Sequence, residues 1–226
     1  MCLKRITNMI IETMGRRRTP VTYTKALFHF DSASFLTDER GGYWSQTGTI
    51  TTDTSIYKFG TSSAKFMGGG EAYLALENQK FVWGTGPFTI DFWYYPYVGN
   101  TATPFSQGDW STNGMLLINQ PYTSVIALRV DGIAAAINTT YYIHSLTHIA
   151  IVGNGGNNGN RNIKLFCDGT LKATYTYDYN FSSGLLKVGG EAGSTGAYQI
   201  LDEYRISSVA RWTSDFTPPT SAYTLD

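Results

Sequence analysis

After the first twenty residues, apolar and polar residues alternate in short runs, and turn-forming residues separate the runs about every ten residues. The clearest run is GPFTIDFWYYP, in which Phe88, Ile90, Phe92 and Tyr94 occupy alternate positions before a proline ends the run. A period of two residues is typical of a strand with one buried face. The pattern predicts about ten to fourteen strands and no long helix, which favours an antiparallel β-sandwich in one domain.

Two Asp-Gly pairs mark the sharpest predicted turns. Asp131-Gly132 separates SVIALRV from IAAAINTT, and Asp168-Gly169 separates NIKLFC from TLKATYTY. Asp-Gly between two strand-like runs is a strong signal for a two-residue hairpin turn, because both residues tolerate positive φ angles. We predict a β-hairpin at each pair.

Residues 1–20 follow a different pattern from the rest of the chain. Apolar residues recur at helical spacing and three consecutive arginines follow them, which predicts a short basic amphipathic arm. We therefore divide the chain into this arm and a sandwich domain over residues 21–226. The arm is either a flexible tail or a segment that docks on a partner. A nucleic-acid contact is disfavoured because no aromatic residues are interleaved with the arginines. The residues concerned are Leu3, Ile6, Ile10 and Met14 in the apolar stripe, and Arg16, Arg17 and Arg18.

The composition excludes several classes of function. The chain has 17 basic and 17 acidic residues, so no overall field attracts it to nucleic acid or to anionic lipid. Residues 1–20 carry five basic residues and one acidic residue, a net charge of 5 − 1 = +4, so the remainder carries 0 − 4 = −4. No apolar run approaches the roughly 18 residues that a membrane span needs. Glu12 interrupts the apolar part of the N-terminus, so no signal peptide is predicted.

The two cysteines do not predict a disulfide framework. Cys2 lies in the predicted arm, and Cys167 shares a strand face with Ile163 and Leu165. A small buried thiol is the interpretation that this position favours. The chain therefore needs no oxidising compartment.

The order of the strand-like segments resembles a known family. ALFHFD, KFGTSSAKF, GPFTIDFWYYP, THIAIV, IKLFCDGTL and YQILDEYRIS follow one another as in the laminin G-like or concanavalin A-like jelly roll. The resemblance extends from about Ala26 to Tyr223 and is strongest to the variant found in bacteriophage tail and other virion-surface proteins. One departure is LTHIA, where the family often has a tryptophan just before the histidine and this chain has Leu146 and Thr147.

The resemblance implies a structural or adhesive role on a virion, as a capsid-decoration, head-fibre or tail-associated protein. The implied partners are other capsid or tail proteins, contacted through the N-terminal arm, and the implied location is a virion assembled in the host cytoplasm. A homo-oligomer is compatible with this role. The alternative function is a carbohydrate-binding module for host or environmental glycans.

Asp202, in the segment LDEYRIS, is the first candidate for a binding role. Strict alternation would place Asp202 on one face with Ile200, Tyr204 and Ile206. A carboxylate on an apolar face is costly unless a partner compensates its charge. The partner is either a cation or a set of hydrogen-bond donors.

The family resemblance implies a structural Ca²⁺ between the first strand and this late strand. Its ligands would be Asp31, Asp202 and carbonyl oxygens around Gly60 and Ser62, because Ca²⁺ takes six to eight oxygen ligands. The alternative is that backbone N–H groups and serine hydroxyls hold Asp202 without a metal. Both interpretations remain open at this point.

The sequence does not carry the pattern of a catalytic site. Glycoside hydrolases of this fold carry Glu-x-Asp-x-x-Glu on one strand, and the chain has no such string. In DER and DEY the acids are adjacent, so they point to opposite faces of a strand. His29, His144 and His148 have no partners at nucleophile or metal-ligand spacing. We therefore expect a non-enzymatic protein.

Aromatic side chains are the candidates for glycan binding, because sugar C–H faces pack on aromatic rings. Trp110 lies in the polar segment QGDWSTNG, and Tyr175 and Tyr177 alternate on one face of a predicted strand. These three residues are the predicted glycan site, although Tyr175 and Tyr177 also fit an ordinary sheet face. Other aromatics with the right chemistry are Trp83, Trp93, Tyr94, Tyr95 and Tyr97.

Overall fold

Fifteen β-strands make up the regular structure of the described part of the chain. The computed structural model describes residues 22–68, 71–76, 83–97, 102–109, 112–120, 125–140, 145–156, 159–178, 180–181, 184–190 and 198–226. The strands are β1 (Thr24–Phe28), β2 (Trp44–Thr47), β3 (Ile50–Asp53), β4 (Ser63–Phe66), β5 (Tyr73–Leu76), β6 (Phe88–Pro96), β7 (Ala102–Asp109), β8 (Thr112–Gln120), β9 (Val125–Val130), β10 (Ile133–Thr140), β11 (Thr147–Gly153), β12 (Arg161–Cys167), β13 (Thr170–Tyr177), β14 (Leu186–Val188) and β15 (Gln199–Ser207).

The strands form two antiparallel sheets that pack face to face. One sheet has eight strands in the order β13-β12-β11-β6-β15-β4-β3, with β1 paired beside β15, and the other has seven in the order β10-β9-β8-β7-β14-β5-β2. The predicted all-β sandwich is therefore confirmed. The predicted number of strands was too low, because short polar strands such as β2 and β3 leave little pattern in the sequence.

Both predicted hairpin turns are present. Asp131 and Gly132, between β9 and β10, have φ angles of 45° and 75°. Asp168 and Gly169, between β12 and β13, have φ angles of 46° and 73°. Two consecutive positive φ angles match the twist of the flanking strands, which is why Asp-Gly is favoured there.

The main core lies between the two sheets. In β6, the alternating residues Phe88, Ile90, Phe92 and Tyr94 are all buried in it. Leu128, from β9 in the opposite sheet, is fully buried in the same core. The other positions of β6 therefore point to the outer face of the eight-stranded sheet.

The chain after β15 covers part of that outer face. This C-terminal segment, residues 208–226, contains no strand, yet Trp212 and Phe216 pack against the buried residues Val152 and Phe166 of the sheet. A second cluster on the same face joins Tyr223 to residues of β1 and β6. This C-terminal segment is therefore a packed layer of the fold.

Two smaller expectations have different outcomes. Cys167 is a fully buried free thiol, as predicted, and burial raises its pKa to about 12. The arm, residues 1–20, lies outside the described residues, so its docking residues stay a prediction. Within the described residues, no helix has the length and apolar character that a membrane crossing requires.

Candidate functional site

A β-bulge changes the face on which Asp202 lies. Asp202 pairs with Trp93 of β6, but the next paired residue is Arg205, which lies opposite Asp91. Two residues of β15 therefore stand against one residue of β6, and Glu203 takes a φ angle of 49°. Such an extra residue reverses the alternation of side chains beyond it.

The prediction that Asp202 shares a strand face with Tyr204 and Ile206 is therefore wrong. Tyr204 and Ile206 belong to the main core, whereas Asp202 lies on the outer face with Ile200. Asp202 is nonetheless fully buried, because the loop over residues 56–62 covers it.

Backbone donors of that loop hold the Asp202 carboxylate. Oδ2 accepts hydrogen bonds from the N–H groups of Lys58 at 2.6 Å and Phe59 at 3.3 Å. Oδ1 accepts one from the N–H of Glu203 at 2.9 Å. Burial nevertheless raises the pKa of Asp202 to about 7, against the opposite effect of these N–H donors.

The same loop holds Asp31 in a similar way. Its Oδ1 accepts hydrogen bonds from the N–H groups of Thr61 at 2.5 Å and Ser62 at 3.2 Å. The Ser62 hydroxyl donates to the Phe30 carbonyl at 2.8 Å. Gly60 permits this approach, because a Cβ there would lie 2.1 Å from the Asp31 carboxylate.

The loop thus presents N–H groups, not carbonyl oxygens, to both carboxylates predicted to bind calcium. Among the described residues, no three His, Cys, Asp or Glu side chains are grouped so that they could hold a metal ion. This geometry supports the hydrogen-bonded alternative. A calcium ion shared by Asp31 and Asp202 stays a prediction, for which the structure supplies no matching oxygen cluster in its described part.

A buried ionic network lies further along the same face. The Arg205 guanidinium donates to both oxygens of Asp91, with distances of 3.1 Å from Nε and 2.8 Å from Nη2. His148 Nε2 lies 2.9 Å from the Tyr223 hydroxyl and 3.6 Å from Asp91 Oδ2. The Arg205 guanidinium carbon also lies 4.0 Å from the centroid of the Tyr223 ring.

This network is structural. Burial alone would raise the pKa of Asp91, but attraction to Arg205 and the contact with His148 outweigh it and lower that pKa. Asp91 and His148 are fully buried, so no ligand in solvent reaches them. The network fastens the C-terminal segment to the sheet.

A small cleft opens where β1 ends, and we call it the β1 cleft. It has a volume of about 170 Å³, an apolar floor and a polar rim. The floor is formed by Leu27, Phe28 and Phe30, and the rim by His29, Asp31, Ser32, Ser34, Thr37 and Glu39.

Glu203 positions the histidine of the β1 cleft from behind. His29 Nδ1 lies 2.8 Å from Glu203 Oε1, and the N–H of Tyr223 donates to the other oxygen at 2.7 Å. The hydrogen bond with Glu203 is the main reason why the pKa of His29 is raised. In the described part of the chain, the hydrogen-bond partner of the His29 ring is the Glu203 carboxylate and not a hydroxyl.

Of the three residues predicted to bind glycans, Tyr175 and Tyr177 do not form an exposed surface. Trp110 lies outside the described residues. Tyr177 is 3% exposed and belongs to the main core, so its ring offers no free face to a sugar. Tyr175 is half-buried and packs against that core. The strip that Tyr175 and Tyr177 share along β13 therefore faces inward.

Three other tyrosines, partly exposed, lie together on the outer face of the eight-stranded sheet. Tyr95 and Tyr97 have ring centroids 5.4 Å apart, and the Tyr198 ring lies 6.3 Å from that of Tyr97. The Lys65 ammonium lies 4.9 Å from the Tyr97 centroid and 3.9 Å from an Asp53 oxygen. We call these five residues the tyrosine surface.

Sequence reasoning did not select this surface, although a signal was present. Along β6, Tyr95 alternates with Tyr94, which is buried in the main core, so Tyr95 and Tyr97 must face outward. Tyr198 precedes β15, and only the pairing of β15 with β6 brings it beside Tyr97.

Comparison with known proteins identifies the architecture. No protein family and no curated protein sequence matches the chain. Domain 4 of AbnA, an extracellular GH43 arabinanase from Geobacillus stearothermophilus solved with arabinotriose, matches with a TM-score of 0.63 and 18% identity, over 84% of this chain and 94% of that domain. The receptor-binding domain of botulinum neurotoxin type G matches with a TM-score of 0.60 and 15% identity, over 83% of this chain.

A third similar structure is the binding domain of Paraclostridial Mosquitocidal Protein 1, with a TM-score of 0.58 and 13% identity over 83% of this chain. The chain spans about half the length of the two toxin domains, 48% and 49%. In contrast, it spans nearly the whole of the arabinanase domain. At these identities the likeness defines the fold, an antiparallel β-sandwich.

Proposed function

We propose that the chain is a non-catalytic binding module for saccharides and that the β1 cleft is its principal site. The observation that carries the proposal is the convergence of carboxylates, hydroxyls and a histidine on an apolar floor in one open cleft. Ligand sites combine an apolar wall with a few polar groups that fix orientation. A saccharide unit presents the same two features, an apolar C–H face and a ring of hydroxyls.

Several details of the cleft support this ligand. At about 170 Å³ it is smaller than the roughly 300–1,000 Å³ of sites for drug-sized ligands, which favours a single sugar unit. Asp31 and Glu39 accept hydrogen bonds from sugar hydroxyls, and Ser34 and Thr37 can donate or accept. The match to an arabinanase domain solved with arabinotriose agrees with this proposal.

A glycan array with the full chain tests the proposal. Binding should be lost on Glu39→Gln and Thr37→Val, which change rim residues without touching the core. Glu71→Gln, an acid outside the cleft, is the matched control and should bind like the parent. An array on which the full chain binds no glycan would overturn the proposed function.

For the biological setting, we propose a virion surface, where the module acts in capsid decoration, a head fibre or a tail. This rests on the order of the sequence segments and on the charge contrast between the arm at +4 and the remainder at −4. A basic, apolar-striped arm suits attachment to a larger assembly, and a saccharide site suits adhesion to a host.

Removal of residues 1–20 tests this setting. The truncated chain should stay folded but no longer co-purify with assembled particles. Replacing Arg16, Arg17 and Arg18 with alanine should weaken attachment mainly at low salt, because salt screens exposed charges. Ile6→Asp with Ile10→Asp should weaken it at every salt concentration. Full occupancy by the truncated chain would contradict docking through the arm.

A further inference from the structure

The tyrosine surface lies apart from the β1 cleft, and the two share no residue. Tyr198 is 44% exposed, and Tyr95 and Tyr97 are partly exposed beside it. We propose that the tyrosine surface is a second saccharide site, which binds uncharged sugar units by stacking on Tyr198.

The ring arrangement supports stacking. The Tyr97 ring makes edge contacts with both neighbours, at interplanar angles of 79° to Tyr95 and 72° to Tyr198. Edge-to-face packing of this kind fixes ring orientation, so the rings lose little conformational freedom when a ligand binds. Tyr198 keeps the largest exposed area of the three for contact with a sugar C–H face.

The polar groups of the surface suit hydroxyls. Within the described part of the chain, the phenol hydroxyls of Tyr95, Tyr97 and Tyr198 form no hydrogen bond with another residue, and a phenol hydroxyl can both donate to and accept from a sugar hydroxyl. The Lys65 ammonium, above the Tyr97 ring, supplies further donors at the same place.

The charges favour an uncharged ligand. The Lys65 ammonium lies 3.9 Å from Asp53, whose other oxygen accepts hydrogen bonds from the N–H groups of Ser55 and Ile56. Asp53 therefore offsets the charge of Lys65, and the surface offers no unbalanced cation to an acidic sugar.

The size of the surface favours a small ligand over a protein partner. A stable protein interface buries about 800 Å² on each partner. Three tyrosine rings that are each less than half exposed cover much less than that. A short oligosaccharide needs only a few rings of contact.

Calorimetric titration of the full chain with cellotriose and arabinotriose, both uncharged, tests the inference. Tyr198→Ala should weaken binding about tenfold, because it removes the stacking ring. Tyr198→Phe, which keeps the ring and loses one hydroxyl, should weaken binding less than Tyr198→Ala does. Lys65→Met should weaken binding about threefold through lost hydrogen bonds. Tyr23→Ala, at a tyrosine with 42% exposure outside the surface, is the matched control and should change nothing.

Salt and a charged probe complete the test. The affinity for an uncharged trisaccharide should change less than about twofold between about 50 and 500 mM salt. Binding of trigalacturonate alone, and only at low salt, would overturn the assignment to uncharged sugars. Loss of self-association in Tyr198→Ala, with no trisaccharide bound by the parent, would identify a protein interface and overturn the inference.

The two saccharide proposals fail in different ways. If the array shows binding that depends on Glu39 but not on Tyr198, the β1 cleft stands and the tyrosine surface falls. If binding depends on Tyr198 but not on Glu39, the tyrosine surface is supported and the β1 cleft is not a saccharide site. If neither trisaccharide binds the full chain, the second site is overturned whatever the array shows.

Discussion

Strands β6 and β15 cross the eight-stranded sheet side by side, and their outward side chains meet two different surroundings. At one end, Asp91 and Arg205 lie under the C-terminal segment in a buried ion pair. At the other end, Tyr95 and Tyr198 lie on a partly open surface. β6 keeps one alternation along its length, and the bulge in β15 brings Arg205 onto the same outer face as Asp91. What differs is whether another segment of the chain crosses over them.

The covered end of the two strands contributes to stability, and the open end is the one proposed to bind a ligand. Under the C-terminal segment polar groups are buried, where an unpaired group is costly, and the Asp91 carboxylate is held there by Arg205. On the tyrosine surface the rings of Tyr95, Tyr97 and Tyr198 are partly exposed to solvent, as the proposed saccharide site requires. We expect substitutions at the covered end to change stability and substitutions at the open end to change binding.

The largest expected effect is that of Asp91→Ala. It leaves the Arg205 guanidinium buried without its counter-charge, which typically costs about 3–5 kcal/mol of unfolding free energy. Lys65→Met, which breaks an ion pair at the open end, should cost less than about 1 kcal/mol. Urea denaturation of both variants measures the contrast. Equal losses would show that the C-terminal segment does not exclude water from the pair.

A pH effect should follow from Asp202, under the 56–62 loop. Its pKa is raised from an ordinary value of 3.8 to about 7, so the folded state holds the proton more tightly than the unfolded state. The resulting stabilisation is complete below pH 3.8 and is lost as the pH rises to about 7. The unfolding free energy should fall by at most about 1.4 kcal/mol per pH unit in this range.

Denaturation of the parent and Asp202→Asn across this range measures that effect. The difference in unfolding free energy between them should change between pH 4 and 7 and stay constant above. His29→Gln is the control, because His29 also has a raised pKa and lies in the same region. Because the pKa of His29 is raised, its protonation stabilises the fold at low pH, and this stabilisation is lost only above the ordinary pKa of 6.5. A pH-independent difference for Asp202→Asn would contradict the raised pKa.

Tyr223→Phe should have a smaller effect at the covered end. It keeps the ring over Arg205 and removes only the hydroxyl that contacts His148, which costs about 1 kcal/mol. Tyr23→Phe, at an exposed tyrosine, should cost nothing measurable. Thermal melts of both variants measure the difference. An equal loss of stability in Tyr223→Phe and Tyr23→Phe would show that the Tyr223 hydroxyl is not buried against His148.

At the open end, Tyr198→Ala should change the unfolding free energy by less than about 0.5 kcal/mol, because exposed side chains contribute little to stability. Urea denaturation measures this. A loss of several kcal/mol would show that Tyr198 belongs to a packed cluster.

Chelation should have the smallest effect of all. With Asp31 and Asp202 held by N–H donors, EDTA should leave the melting temperature unchanged. A lower melting temperature that Ca²⁺ restores in the parent but not in Asp202→Asn would establish the shared ion instead.

The sequence was most informative where structure depends on neighbouring residues. Asp131-Gly132 and Asp168-Gly169 predicted their turns because positive φ angles are a local property. It was least informative about the candidate sites. Tyr175 and Tyr177 alternate as an exposed strip would, but the sandwich turns Tyr177 into its core.

Three features could be predicted from the sequence: the all-β class, the division of β6 into an inner and an outer face, and the need of Asp202 for a partner. These follow from side-chain alternation and from the cost of burying charge. The bulge at Glu203, which moves Asp202 to the outer face, and the position of Tyr198 beside Tyr97 could not be predicted and follow from how the strands pair. The packing of residues 208–226 over one end of that face could not be predicted from the sequence either. The reason is that these outcomes depend on contacts between residues far apart in the chain, which no local pattern encodes.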